Sequence, residues 1–455
     1  MLNQLRFYHK EPFHFFPPRN IPAISIIVNP LMAEKQFAQL IVVGGGPAGL
    51  MAAGQAAGLG VDTVLLEKME QPGQKLRITG KGRCNLTNVC SQEEFIQHFD
   101  RQGLFLRQAF ARYFSQDLLD FMDSLQVKTQ TERGGRVFPV GEDASDITQK
   151  LTHWAASQGV RIQCRTAVQN LLVKDRVFQG VTASDGTVIS AQAVILAAGG
   201  ASFSHTGSSG DGFRMAAEIG HTVVPIRPAL VPLKSSGDVC QRLQGLTLHN
   251  VEVRVLLDGK VKFKDFGEML FTHFGVSGPV ILSMSGKIVD ALREKKKVEI
   301  SIDLKPALDE AKLDARLLRD MDTHGKQYFR TLLDGLLPQK MVPVMADYCG
   351  IAPDKPCHQI NAQERALLLH QLKDFRIEIK GHLPLDAAMV TAGGVSLKEV
   401  DPRTMQSRLV EGVYFAGEVL DLAADTGGYN LQAAFSTGWL AGNAAAQWLM
   451  ALSTP

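Results

Sequence analysis

The 455-residue chain is 45% hydrophobic and 21% charged, a globular balance long enough for two or three domains, which excludes fibrous, disordered and small disulfide-stapled classes. Forty-eight Lys and Arg against 46 Asp and Glu leave a formal charge of +2, so no global field argues for a nucleic acid or a membrane surface. No apolar run reaches the roughly 18 residues of a spanning helix, and the six cysteines lack any C-x-x-C spacing, which disfavours a disulfide framework, a zinc or other metal site and a redox dithiol.

Free thiols suit a reducing cytoplasm. Of the composition only the 42 glycines stand out, and they are clustered. Residues 1–33 mix Arg6, Lys10 and Arg19 with Phe7, Tyr8, Phe13, Phe15 and Phe16, without periodicity. Pro22, Asn29 and Pro30 interrupt the apolar stretch that a secretory signal would need. The segment is expected to be a disordered arm or an over-extended reading frame, with Met32 as a start.

From Gln39 to Glu67 the chain reads as strand (Leu40 to Val43), glycine turn, Ala-rich helix (Ala48 to Gly58) and second strand (Thr63 to Leu66). Gly44, Gly46 and Gly49 form G-x-G-x-x-G, with Pro47 and Ala48 opening the helix. The first glycine permits the turn, the second lets backbone approach a pyrophosphate, and the third lets helix pack on strand. The helix N-terminus offers free N–H groups and a positive dipole end to phosphates. Glu67, followed by Lys68, ends the second strand where an acid accepts hydrogen bonds from an adenosine ribose, which disfavours NADP and leaves FAD or NAD.

Later segments favour FAD. Ala191 to Ala197 is an apolar strand running into Ala198-Gly199-Gly200, and Gly412 to Glu418 is a second strand ending in Ala416-Gly417-Glu418. An acid in Glu418's position suits a flavin ribityl chain. Thr426-Gly427-Gly428-Tyr429-Asn430 then opens a helix to Ala446, whose N-terminus would face the flavin pyrimidine and favour the charge that reduction brings.

With these motifs in place the sequence resembles the YhiN/BaiN-like flavoproteins, also called aminoacetone-oxidase-like FAD-binding enzymes, from about Gln39 to Ala446. The resemblance rests on Gly80-Lys81-Gly82-Arg83-Cys84-Asn85-Leu86-Thr87-Asn88, Arg136-Val137-Phe138-Pro139, Thr206 to Gly212, Phe271 to Pro279 and the Gly417 to Asn430 region. It implies an α/β fold in which a Rossmann-like FAD-binding domain carries an inserted β-rich, barrel-like domain and a small helical insert. The expected boundaries are 34–228 for the first part of the FAD domain, 229–325 for the β-rich substrate domain, 326–375 for the helical insert and 376–455 for the return. Strands are expected at Val251 to Leu257 and Val298 to Leu304, and a helix at Glu364 to Leu372.

The resemblance further implies an oxidoreductase with hydride transfer at flavin N5 and NAD(P)H as a transient reductant. Its expected reaction is reduction of a carbonyl-conjugated C=C, in an enone of steroid-acid type or in uridine of ribosomal RNA. Oxidation of small amines such as aminoacetone, with release of hydrogen peroxide, is the alternative. Lys75, Arg83 and Asn85 are expected at the cofactor with Gly428, Tyr429 and Asn430. Cys84 is a candidate proton donor, against the plainer role of a small buried hydrophobe. His273 would line the substrate face or serve as a structural histidine. A non-enzymatic FAD-containing factor that binds RNA or protein has only the Arg293 to Lys297 run and the basic 75–83 loop behind it, and such runs are usually solvated.

Overall fold

The computed structural model describes residues 36–453; the expectation for 1–33 lies outside them. They divide into two units, one from both chain ends (to Pro225 and from Gly393) and one from Ile226–Ala392.

In the first unit β1 (Gln36–Val43), α1 (Pro47–Gly58) and β2 (Thr63–Leu66) form the expected βαβ unit. β1 lies between β2 and β3 (Val188–Leu196), parallel to both, with Val43 opposite Leu66 and Leu196. β4 (Val413–Phe415) adds to β3 in parallel, so the late segment completes the early sheet. Leu40 to Val43, Thr63 to Leu66, Ala193 to Leu196 and Val413 to Phe415 are buried without alternation, as in a parallel sheet covered on both faces. Seven strands make up this sheet, the others being Arg161–Gln163, Val168–Lys174 and Val177–Ala183.

α2 (Tyr429–Leu452) is the long closing helix, and it packs directly on α1. A Cβ at Gly438 would overlap the Ala48 carbonyl oxygen, and one at Gly442 that of Ala52. The two small residues, one turn apart, let the backbones approach as ordinary side chains would not.

The second unit is built on a closed barrel of six strands, in the order Leu233–Ser235, Gly275–Ser277, Lys260–Thr272, Thr247–Leu257, Val298–Asp303 and Phe375–His382. The last strand pairs with the first, removing both sheet edges. The chain therefore does not return at 376: Phe375, Ile377 and Ile379 are buried between exposed Arg376, Glu378 and Lys380, a period of two that places one face in the barrel. The crossings between units occur within Val223–Ala229 and Val390–Val395, which pair with each other.

Helices join the barrel core as well: Val239–Arg242 and Pro279–Arg293 between its strands, then Glu310–Thr323, Phe329–Asp334, Val342–Cys349 and Ala362–Lys373 in succession. The helical insert begins at Glu310 rather than 326. Only Leu313, Leu317 and Met321 of its first helix are buried, a stripe at intervals of four that its many charges obscure.

Candidate active site

The glycine turn shows why three small residues recur there. Gly44 has φ +103°, and a Cβ on it would meet the Ala197 backbone, while a Cβ on Gly49 would overlap the Gly44 carbonyl oxygen. Gly46 differs: a side chain there would meet no protein atom within 4 Å. It is the N-cap of α1, whose first turn has neither a capping side chain nor an acid. A twelve-residue helix thus leaves its positive end and orphan N–H groups toward open space, which fits a bound pyrophosphate.

Glu67 is buried at the end of β2. Its Oε2 accepts from Gly45 N–H at 2.7 Å and its Oε1 from Met69 N–H at 2.8 Å. Burial raises its pKa, against the lowering effect of those N–H donors and of the Lys68 charge. The carboxylate fixes the glycine turn and keeps lone pairs for further donors. Lys68 does not stand free beside it, because its Nζ bonds Ser209 and lies 2.7 Å from Asp211 Oδ2.

The 79–84 loop is a series of left-handed residues, with φ of +58° at Gly80, +58° at Lys81, +86° at Gly82 and +57° at Cys84. Such a run explains two glycines in so short a segment. It also turns Cys84 inward: the side chain has no exposed surface, and burial pushes the thiol pKa up to about 12. Arg83 points elsewhere, forming an ion pair with Glu132 and lying 4.1 Å from the Phe138 ring centroid. Its guanidinium thus has an acid and an aromatic ring as partners within the protein.

The later segments meet this frame. Lys75 Nζ lies 2.8 Å from Glu418 Oε2 and 2.7 Å from Ser202 Oγ, so the loop after β2 is tied to the acid after β4. Gly199 has φ +73° where β3 exits, between Ala198 and Gly200, and the Gly200 carbonyl accepts from Gly210 N–H at 3.1 Å. Gly417 N–H donates to Thr437 Oγ1 at 2.9 Å, and a Cβ on it would press on Ala48 at 2.8 Å.

At the start of α2, Gly428 has φ +98° and packs on the Thr87 backbone. The Asn85 amide oxygen accepts the Gly428 N–H at 3.0 Å, its nitrogen facing the Val137 and Thr87 carbonyls. Asn430 closes the preceding loop, accepting from Ala424 N–H and donating to the Ala424 carbonyl, both at 2.9 Å. Tyr429 is buried, stacked on His98 with centroids 3.8 Å apart, and burial raises its pKa.

The first unit thus brings Gly44 to Gly49, Glu67, Ala198 to Gly200, Gly417 and Glu418 to the aligned ends of four parallel strands, with Lys75 bonded to Glu418, while Asn85 and Gly428 pair with each other. His273 belongs to the second unit, exposed on the turn between Lys260–Thr272 and Gly275–Ser277. Asp211, Ser202, Thr437 and Asn88 escaped the sequence argument as site residues. Asn88 is buried and donates to the Gly427 carbonyl at 3.2 Å; its place in the Gly80 to Asn88 motif was the available signal. Asp211 likewise lay within the Thr206 to Gly212 motif, whereas Ser202 and Thr437 act through partners distant in sequence, Lys75 and Gly417, which no local pattern reveals.

Comparison with known proteins agrees with this construction. A 3-dehydro-bile acid delta(4,6)-reductase of Clostridium scindens is 33% identical over 408 residues, covering 89% of this chain and 98% of that protein. A ribosomal RNA dihydrouridine synthase of Escherichia coli is 30% identical over 400 residues, 88% of this chain and 96% of that protein. Among solved structures, the open conformation of a flavocytochrome c3 fumarate reductase shares the fold, with a TM-score of 0.50 at 18% identity over 92% of this chain and 79% of that chain. The HI0933-like protein Rossmann domain matches residues 38–444, and the chain belongs to that family of FAD-dependent oxidoreductases.

Proposed function

We propose that this protein uses NAD(P)H to reduce a C=C bond conjugated to a carbonyl, in a steroid-acid enone or in uridine of ribosomal RNA. The observation that carries the proposal is the near full-length similarity to two relatives whose names describe one chemistry. A delta(4,6)-reductase and a dihydrouridine synthase both saturate a carbon–carbon double bond beside a carbonyl system. In the balanced reaction NAD(P)H loses a hydride, one alkene carbon gains a hydride and its neighbour gains a proton.

Bound FAD supplies hydride transfer at N5, the hard chemistry of the reaction. The chain supplies position and field. The α1 N-terminus at Gly46 would hold the pyrophosphate, Glu67 the adenosine ribose, and Glu418 with Lys75 the ribityl end. The α2 N-terminus would face the flavin pyrimidine, its dipole favouring negative charge there. Cys84 is left out of proton delivery, because a thiol with a pKa of about 12 and no exposed surface is poorly matched to neutral pH.

Anaerobic mixing with NADH and with NADPH tests the proposal. At least one should bleach the flavin, and added enone or uridine-containing RNA should restore its colour. Bleaching by a small amine but by neither nucleotide, with peroxide formed in air, would establish the amine oxidase instead.

A further inference from the structure

The second unit carries a basic edge assembled from two separated segments. Arg293–Lys297 follows helix Pro279–Arg293 and leads into barrel strand Val298–Asp303. Asp258, at the tip of the hairpin formed by Thr247–Leu257 and Lys260–Thr272, donates its N–H to the Lys297 carbonyl at 2.9 Å. Its Oδ1 accepts the Lys297 N–H at 3.0 Å. The run is thereby held beside the tip of the hairpin whose second strand carries Lys260, Lys262 and Lys264, and these lysines with Arg293, Lys295, Lys296 and Lys297 are all exposed.

Three of these cations have nearby acids: Lys264 with Glu252, Lys296 with Glu294 and Lys297 with Glu299. Among the described residues, Lys260, Lys262, Arg293 and Lys295 have no ion-pair partner. Lys262 is the extra residue of a bulge, since Val255 pairs with Phe263 and Leu256 with Val261; bulges re-aim side chains. Two residues beyond Lys264, on the same strand face, Phe266 leaves 51% of its surface open.

We propose that this edge docks a single-stranded segment of RNA, its uncommitted cations meeting phosphates and Phe266 stacking on a base. An anionic bilayer fits less well. Even a myristoyl chain gives marginal membrane binding, and the exposed apolar groups here are Val261 and Phe266. The proposal deepens the uridine form of the function proposed above and rests on it for its purpose, but binding is measurable without turnover.

The test uses the full-length FAD-loaded protein and a fluorescein-labelled oligouridylate of about 16 nucleotides, followed by anisotropy between about 50 and 200 mM salt. The wild type should bind with a steep salt dependence. Lys260→Gln/Lys262→Gln/Lys295→Gln should bind more than about tenfold more weakly, its log–log salt slope reduced by about 2, at roughly 0.7 per lost phosphate contact. Unchanged flavin absorbance and unchanged bleaching by NAD(P)H would show that the variant is folded and loaded.

Equal RNA binding by the variant, or no binding by the wild type at low salt, would overturn the docking face. Binding to phosphatidylserine vesicles but not to RNA would overturn it in favour of a membrane. Lost RNA binding in the variant, with a wild type that reduces enones but not uridine, would keep the docking face and remove its proposed purpose. Uridine reduction in RNA at an unchanged KM by the variant would keep the function and remove the docking face.

Discussion

At Cys84 the chemistry expected of a proton donor meets a backbone that turns the thiol into the core. A general acid contributes about 10²–10⁴ in rate, so its removal is easily measured. With the thiol fully buried and pushed up to about 12, Cys84→Ala should leave kcat/KM for C=C reduction within about threefold, with an unaltered pH profile between about 6 and 9. A loss of about a hundredfold would restore the thiol as the acid. The sequence placed Cys84 in the correct loop but held no sign of its φ of +57°, which decides where the side chain goes. Glu67 was legible from its place at the end of a strand. That both its oxygens brace the turn, at Gly45 and Met69, was not, nor was the pairing of Arg83 with Glu132.

Among elements, the turn before α1 holds one glycine that the fold requires, Gly49, and one that packing does not, Gly46. Gly46→Ala adds a methyl group that meets no protein atom within 4 Å. It should cost apoprotein stability about 1 kcal/mol or less, the difference between glycine and alanine as an N-cap, while weakening FAD binding by about tenfold or more if the methyl displaces one phosphate hydrogen bond. Gly49→Ala drives a Cβ into the Gly44 carbonyl and should destabilise the apoprotein by about 3 kcal/mol. Thermal melts of apoprotein and FAD titrations check both; equal loss of apoprotein stability in the two variants would refute the distinction. The βαβ unit was readable because short-range periodicity and turn chemistry specify it. The barrel was not readable to its edges. Phe375–His382 shows clean alternation, but its membership depends on pairing with Leu233–Ser235, a contact that local pattern does not encode.

For the whole molecule, the continuous second unit has a hydrophobic core drawn entirely from its own residues, combining barrel and helices. Fragment 226–392 should therefore fold alone, giving a cooperative thermal transition by circular dichroism. Fragment 1–225 lacks β4 and α2 and should retain no FAD by absorbance; a non-cooperative melt for the first fragment, or a yellow second one, would count against this division. The discontinuity of the FAD unit also orders events on the ribosome. Gly438 and Gly442 bring α2 against Ala48 and Ala52, residues translated long before it. The barrel can complete its core while the glycine turn still waits for that partner, so cofactor loading should fall in the last stage of synthesis, and a nascent chain cut short should carry a finished barrel and no flavin.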